Sequence, residues 1–148
     1  MKSISVKQPW ASLIISGIKD IENRKWKTNY RGRVLIHASN STDLDNLPLD
    51  SIFTPEQILE LKQHYSENVL SSFIYPHGLI IGSVEIVDCV TNHTSIWAEK
   101  SRPLSFSSIT NNEKPIYNWV LKNPIKFEKP IPAKGKLSFW EFNLEEKK

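Results

Sequence analysis

Apolar and polar positions alternate from the first residues. Ser3-Ile4-Ser5-Val6 has period two and predicts a short strand over residues 3–7. Pro9 then opens a different rhythm, with Trp10, Leu13 and Ile14 at i, i+3 and i+4, and Gly17 supplies a left-handed stop. That spacing predicts a two-turn helix over 9–16. A strand is expected through 21–26, and period two places Glu22, Arg24 and Trp26 on one face of it. Tyr30 to Arg33 reads as a turn, and Val34-Leu35-Ile36 as a buried strand ending at His37-Ala38-Ser39. Ser, Asp, Asn and Pro crowd residues 39–53, which predicts a loop. Thr54-Pro55-Glu56-Gln57 is a capping-box pattern with proline at the first helical position. Ile58, Leu61, Tyr65 and Val69 follow as one apolar stripe, so the longest helix is expected over 55–71.

Pro76-His77-Gly78 breaks the chain before a nearly continuous apolar run at 79–90, interrupted by Gly82 and Glu85, which reads as one or two central strands. Residues 91–114 are polar without a clear period. Strands are expected at 116–121 and 126–128, separated by Asn123-Pro124, then a turn at 130–135 and a last strand at 137–142 offering Leu137, Phe139 and Trp140 to the core. About six short strands with two or three flanking helices argue for an α+β domain built on a small β-barrel or a strongly curved sheet. The whole of 1–148 reads as a single domain, with a helical insertion at about 40–75.

Composition narrows the class. Apolar residues make up 39% of the chain and aromatic residues 10%, which supports a packed core and argues against wholesale disorder. The net charge of +3 permits an anionic partner without requiring one. A single cysteine, Cys89, cannot form an internal disulfide and fits a reducing compartment. No cysteine pair and no ligand spacing among His37, His64, His77 and His93 point to a metal, so neither metal nor cofactor is expected. The N-terminus lacks the apolar core of a signal peptide, and no run is long enough for a membrane span. A soluble, cytoplasmic protein is the expectation.

The chemistry concentrates in Gly17-Ile18-Lys19-Asp20-Ile21-Glu22-Asn23-Arg24, flanked by Trp10 and Trp26. Lys19, held near an arginine and partly desolvated, suits base or nucleophile work; as a plain loop lysine it complements a helix C-terminus. Glu22 is a candidate to position or deprotonate water, and Arg24 to grip a phosphate or a carbonyl oxygen; the competing reading is a structural ion pair. Trp10 and Trp26 are candidates for stacking on a base, or else core. Lys25, Lys27, Arg31 and Arg33, interleaved with Trp26 and Tyr30, suit a nucleic-acid backbone or the solvated edge of a hairpin. His37 and Ser39 end a strand and are further candidates for the cleft, His37 as a proton shuttle or as a structural histidine. Glu85, a carboxylate inside an apolar strand, calls for a partner such as Lys19 or Arg24, or for solvent.

Five segments in order resemble the ASCH domain of the PUA-like superfamily. Ser5 to Ala11 looks like its opening strand and helix, and Gly17 to Arg24 fits its hallmark G-x-K-x-x-E-x-R. Tyr30-Arg31-Gly32 with Ile36 to Ser39, Ile80 to Glu85, and the closing stretch from Pro130 to Phe142 also look similar. The resemblance implies a β-barrel with a cleft at its mouth lined by the hallmark charges. It implies RNA or nucleotide binding through Lys19, Glu22 and Arg24, and some ASCH proteins hydrolyse acetylated cytidine or are assigned ribonuclease activity. In that amidohydrolase branch the hallmark lysine acts with a threonine and a glutamate. Lys19 matches the lysine here, while Glu22 stands at the threonine position. Two readings follow. The first is a binding module for RNA, a nucleotide or a nucleoside. The second is a metal-independent hydrolase of a modified nucleoside, or a ribonuclease, using Lys19 with Glu22 or Glu85. A protein partner is a further expectation, with the 40–75 insertion as its surface or as a lid.

Overall fold

The period-two start becomes β1 (Lys2–Val6), and the apolar triplet after it becomes α1 (Trp10–Ile15). The computed structural model describes residues 1–66, 75–101 and 114–144. Pro9 stands at the helix N-cap, but the capping comes from Gln8, whose side-chain oxygen accepts from the Ser12 amide at 3.0 Å. Gly17 ends the helix with φ of 83°, a conformation that costs other residues more. The chain then forms β2 (Ile21–Arg24), β3 (Gly32–Ala38), α2 (Leu49–Ile52), α3 (Pro55–His64), β4 (Leu79–Val90), β5 (Tyr117–Pro132) and β6 (Trp140–Glu141).

All six strands share one sheet in the order β2-β5-β4-β3-β1-β6. β1 and β3 run parallel, which the long connection through α1 and β2 permits; the other pairs are antiparallel. Among the described residues the fold is therefore α+β, with a mixed sheet and three helices. The described ladders do not join β2 to β6, so hydrogen bonding leaves the sheet open. Side chains nevertheless tie its two ends together. The Arg24 guanidinium on β2 donates to the Ser5 carbonyl on β1 at 2.7 Å. Phe139, just before β6, stacks on Trp119 of β5 with centroids 5.4 Å apart, and Trp26 meets both rings edge-on.

One sheet face packs Ile4, Val6, Ile36, Val84 and Ile86 against Ala11, Ile14 and Ile15 of α1. Gly82 interrupts the apolar run of β4 because a side chain there would strike Ile15 and the Ile125 carbonyl. A second cluster joins Leu13 and Ile21 to Phe53, Leu61 and Trp97, which seats the helical insertion on α1 and β2. A third, of Leu35, Ile80 and Trp140, lies under the closing segment. No helix among the described residues is long and apolar enough to cross a membrane.

Several elements depart from the sequence expectation. α2 arises inside the stretch expected to be loop. α3 stops at His64, because Tyr65 is extended (φ −134°, ψ 145°); residues 67–71 of the expected helix lie outside the described residues. The two strands expected around Asn123-Pro124 are one strand, β5, whose pairing with β4 shifts register three times. Asn123 takes a φ of 54°, which bulges the strand without ending it. The last strand shrinks to two residues. Ser138, at φ 58°, breaks the alternation, and Leu137 is 94% exposed rather than in the core.

Candidate functional site

The hallmark octad folds as a helix stop followed by a strand, and this geometry gathers its charges. Gly17 turns the chain back, and the Lys19 amide donates to the Leu13 carbonyl at 3.0 Å. The Lys19 side chain is thereby carried under α1, where it is 4% exposed. Its ammonium donates to the Ile21 carbonyl, sits 3.8 Å from a Glu22 oxygen and lies 5.5 Å from the Trp10 ring centroid. Burial pushes the Lys19 pKa down; Glu22, Glu99 and Asp20 oppose that shift, and Arg24 adds to it.

Period two puts Arg24 beside Glu22, as expected. Arg24 Nε and Nη2 lie 2.9 and 2.7 Å from one Glu22 oxygen, while the other oxygen faces Lys19. Nη2 also serves the Ser5 carbonyl, which directs the guanidinium toward β1. Glu22 thus lies between two cations, with its side chain only 11% exposed. The structural ion pair of the competing reading is therefore formed.

A cavity of about 240 Å3 opens over Lys19 and Glu22; Arg24, expected in the cleft, is not part of its lining and reaches instead to the Ser5 carbonyl on β1. Trp10, Lys19, Glu22 and Asn23 line it from the body of the domain, Ile52, Thr54 and Gln57 from the insertion, and Trp97 and Glu99 from the loop after β4. Sequence reasoning missed the last two, which sit in a polar stretch with no period. It also assigned no role to Asn23, although that residue lies inside the octad. Asn23 gives a hydrogen bond to the Trp97 carbonyl and takes one from the Glu99 amide, both at 3.0 Å. Buried Asn118 takes the His93 amide at 3.0 Å and donates to the Glu99 carbonyl and to Asn23. From the other side, Gln57 donates to the Ile96 carbonyl at 2.8 Å. These three amides fix the loop as a wall. The Glu99 carboxylate is exposed at its rim, without an ion-pair or hydrogen-bond partner among the described residues.

The remaining candidates fall elsewhere. β2 ends at Arg24, so Trp26 leaves the expected shared face and packs on Trp119 at 4.6 Å between centroids. Glu85 does not reach Lys19 or Arg24; it pairs with Arg33 across β3 and β4 at 3.1 Å. Arg33 also serves Ser83 and the Asn123 carbonyl. Arg31 serves the Thr28 and Tyr30 carbonyls and faces Asp88 at 3.7 Å. Of the basic segment, Lys25 and Lys27 remain exposed without a partner among the described residues.

His37 is 1% exposed and lies against the closing segment. Its Nε2 lies 2.7 Å from the Ala133 carbonyl, which can only accept, so Nε2 carries the proton; Nδ1 lies 3.0 Å from the Ser5 hydroxyl. Ser39 accepts from the Ser41 amide through its hydroxyl and from His77 through its carbonyl. Neither residue lines the cavity.

Comparison with known proteins bears on the family and the fold. The family model of the ASCH domain matches residues 4–131. Activating signal cointegrator 1 of Homo sapiens is 29% identical over 144 residues, covering 95% of this chain and 22% of that protein. The Mus musculus protein of the same name is 28% identical over the same coverage. The chain thus spans about a fifth of the length of these relatives. The crystal structure of ASCH from Zymomonas mobilis superposes with a TM-score of 0.56 at 15% identity, covering 98% of this chain and 89% of that one. A point mutant of the same Zymomonas mobilis protein gives 0.54 at the same identity and coverage. At that identity the likeness is one of fold. With the family pattern matched over most of its length, the chain belongs to the ASCH domain family.

Proposed function

We propose that this ASCH domain binds single-stranded RNA or a nucleotide, with one base in the cavity over Lys19 and Glu22, the latter held by Arg24. The observation that carries the reading is the lining itself: two indoles, Trp10 and Trp97, from separate segments, over the buried pair Lys19 and Glu22. A base has a π-face for an indole, a contact worth about 1–3 kcal/mol per base. The cavity, at about 240 Å3, is smaller than the roughly 300–1,000 Å3 of drug-sized sites, and so suits a single base or nucleoside. The Glu99 carboxylate, without a partner among the described residues, is a polar group of the lining with capacity left for its edges. Lys25 and Lys27, beyond β2, are placed to meet phosphates.

Fluorescence anisotropy with a labelled single-stranded RNA tests this. Trp10→Ala and Lys19→Ala are both expected to weaken binding with the fold retained by circular dichroism. Unchanged affinity in both variants would remove the cavity from the binding site.

A second reading is favoured by one observation. Lys19 has its pKa lowered by burial at the floor of a cavity whose rim carries an unpaired carboxylate, Glu99. That is the disposition of a general base or nucleophile with a proton-transfer partner. Here Glu99, rather than Glu85, is the second carboxylate of a hydrolase acting on a modified nucleoside. Single-turnover incubation with N4-acetylcytidine and with RNA, followed by chromatography, separates the readings. Product from wild type and none from folded Lys19→Ala establishes turnover; no product from either substrate leaves the binding module.

A further inference from the structure

β5 departs from what its sheet needs. Only residues 117–120 have β2 on their outer side; from Lys122 onward the strand is an edge with β4 as its one ladder partner among the described residues. Between the pairs Glu85↔Lys122 and Ile80↔Ile131, β5 takes nine steps against five on β4, so the strand carries spare residues that bulge away from the ladder. Lys122, Lys126 and Lys129 lie on this bulged edge, and all three are exposed.

Charge sets the segment apart from the rest of the chain. Residues 117–136 hold five lysines and one carboxylate, a net charge of +4 against +3 for the whole protein. Several cations elsewhere are paired, Lys2 with Glu141, Lys7 with Asp43, Arg24 with Glu22, Arg31 with Asp88 and Arg33 with Glu85, while Lys25 and Lys27 beyond β2 are not. The β5 lysines have no carboxylate partner among the described residues. Lys122 stands opposite Glu85, but Arg33 already occupies that carboxylate.

We infer that the exposed edge of β5, through Lys122, Lys126 and Lys129, is a second nucleic-acid surface that holds the phosphates of a strand whose base enters the cavity. The inference rests on the binding reading above. β5 itself makes the connection. Val120 pairs with Ile21 at the start of the strand that carries Glu22, and Lys122 follows two residues later. At roughly 3.3 Å per residue, less the bulges, the three lysines span on the order of 20 Å, a length for several phosphates. An anionic membrane fits less well, because Ile125 is the one large apolar side chain exposed between 122 and 132, and membrane surfaces combine cations with an apolar face. The competing explanation is that lysines, Pro124 and Pro130 only keep this edge from pairing with another chain.

Salt dependence separates these explanations. On single-stranded RNA, each phosphate neutralised contributes about 0.7 to the slope of log affinity against log salt. The variant Lys122→Gln/Lys126→Gln/Lys129→Gln is expected to flatten that slope by about 2 relative to wild type, with Lys126→Gln alone flattening it by about 0.7. The matching triple arginine variant is expected to restore it. Trp10→Ala is expected to weaken binding at every salt concentration without changing the slope. A triple glutamine variant that binds RNA with the wild-type slope overturns the surface while leaving the cavity reading in place. Wild type that binds no RNA overturns both. If the triple variant aggregates, the Lys126→Gln slope decides: no flattening there overturns the surface.

Discussion

Glu22 shows how one residue serves structure and site together. Two buried or half-buried cations share its carboxylate, so Glu22→Gln leaves both without a counter-charge. Removing one member of a buried ion pair costs about 3–5 kcal/mol, and a loss in that range is expected by urea unfolding. Lys19 makes a separate prediction, in pH. Its folded-state pKa lies below the ordinary 10.5, chiefly because burial disfavours the ammonium. Between the folded value and 10.5 the unfolded chain holds the proton and the folded chain does not, so unfolding takes up a proton and stability rises with pH across that window. Below the folded value the full penalty is present. Lys19→Met has no such group, so wild type is expected to gain stability relative to it as pH climbs from neutral towards 10.5. Unfolding curves at matched pH check this, and a falling difference would mean that Glu22, not burial, dominates. The octad was legible because period two alone puts Glu22 beside Arg24. The burial of Lys19 was not, since it depends on Gly17 turning the chain back under α1.

At the scale of elements, the insertion and the loop after β4 complete what β2 begins. Thr54 caps α3, and Gln57 closes the box while its other end holds the Ile96 carbonyl. Thr54→Ala is expected to cost about 1 kcal/mol, a typical cap loss. Gln57→Ala is expected to loosen the 95–99 wall as well, and so to weaken ligand binding more than its stability change accounts for; comparing unfolding with anisotropy on both variants shows the difference. Asn118→Ala removes the fully buried partner of the part-buried His93 amide and Glu99 carbonyl, with an expected cost of about 1 kcal/mol for each hydrogen bond lost. The cap was readable because its chemistry is local in sequence. The wall was not: Asn23 and Asn118 reach Trp97 and Glu99 across the sheet, and no periodicity records such side-chain-to-backbone ties. For the same reason β5 read as two strands, because Asn123-Pro124 looks like a break, whereas a bulge lets the ladder resume.

At the scale of the whole molecule, the strand order leaves β2 and β6 at opposite ends of the sheet, and something must bring them together. Backbone pairing among the described residues does not, so the approach rests on two side-chain contacts: Arg24 with the Ser5 carbonyl, and Phe139 with Trp119, Trp26 and Tyr30. Arg24 is also the partner that holds Glu22, so one guanidinium serves both the contact with β1 and a residue of the cavity lining. Phe139→Ala removes the aromatic contact without touching the ion pair. Phe139 is only partly buried, so the expected cost is about 2–3 kcal/mol, at or below the lower end for a core phenylalanine. Arg24→Gln removes the other contact. If the two contacts close the sheet jointly, each variant weakens the other's role, and the double variant departs from the sum of the singles by about 0.5 kcal/mol or more. Neighbouring Leu137, exposed to solvent, supplies the control: Leu137→Ser is expected to change stability by less than about 0.5 kcal/mol. Strict additivity of Arg24→Gln and Phe139→Ala would mean that each end of the sheet is held independently, and that the cavity's shape owes nothing to the aromatic cluster behind it.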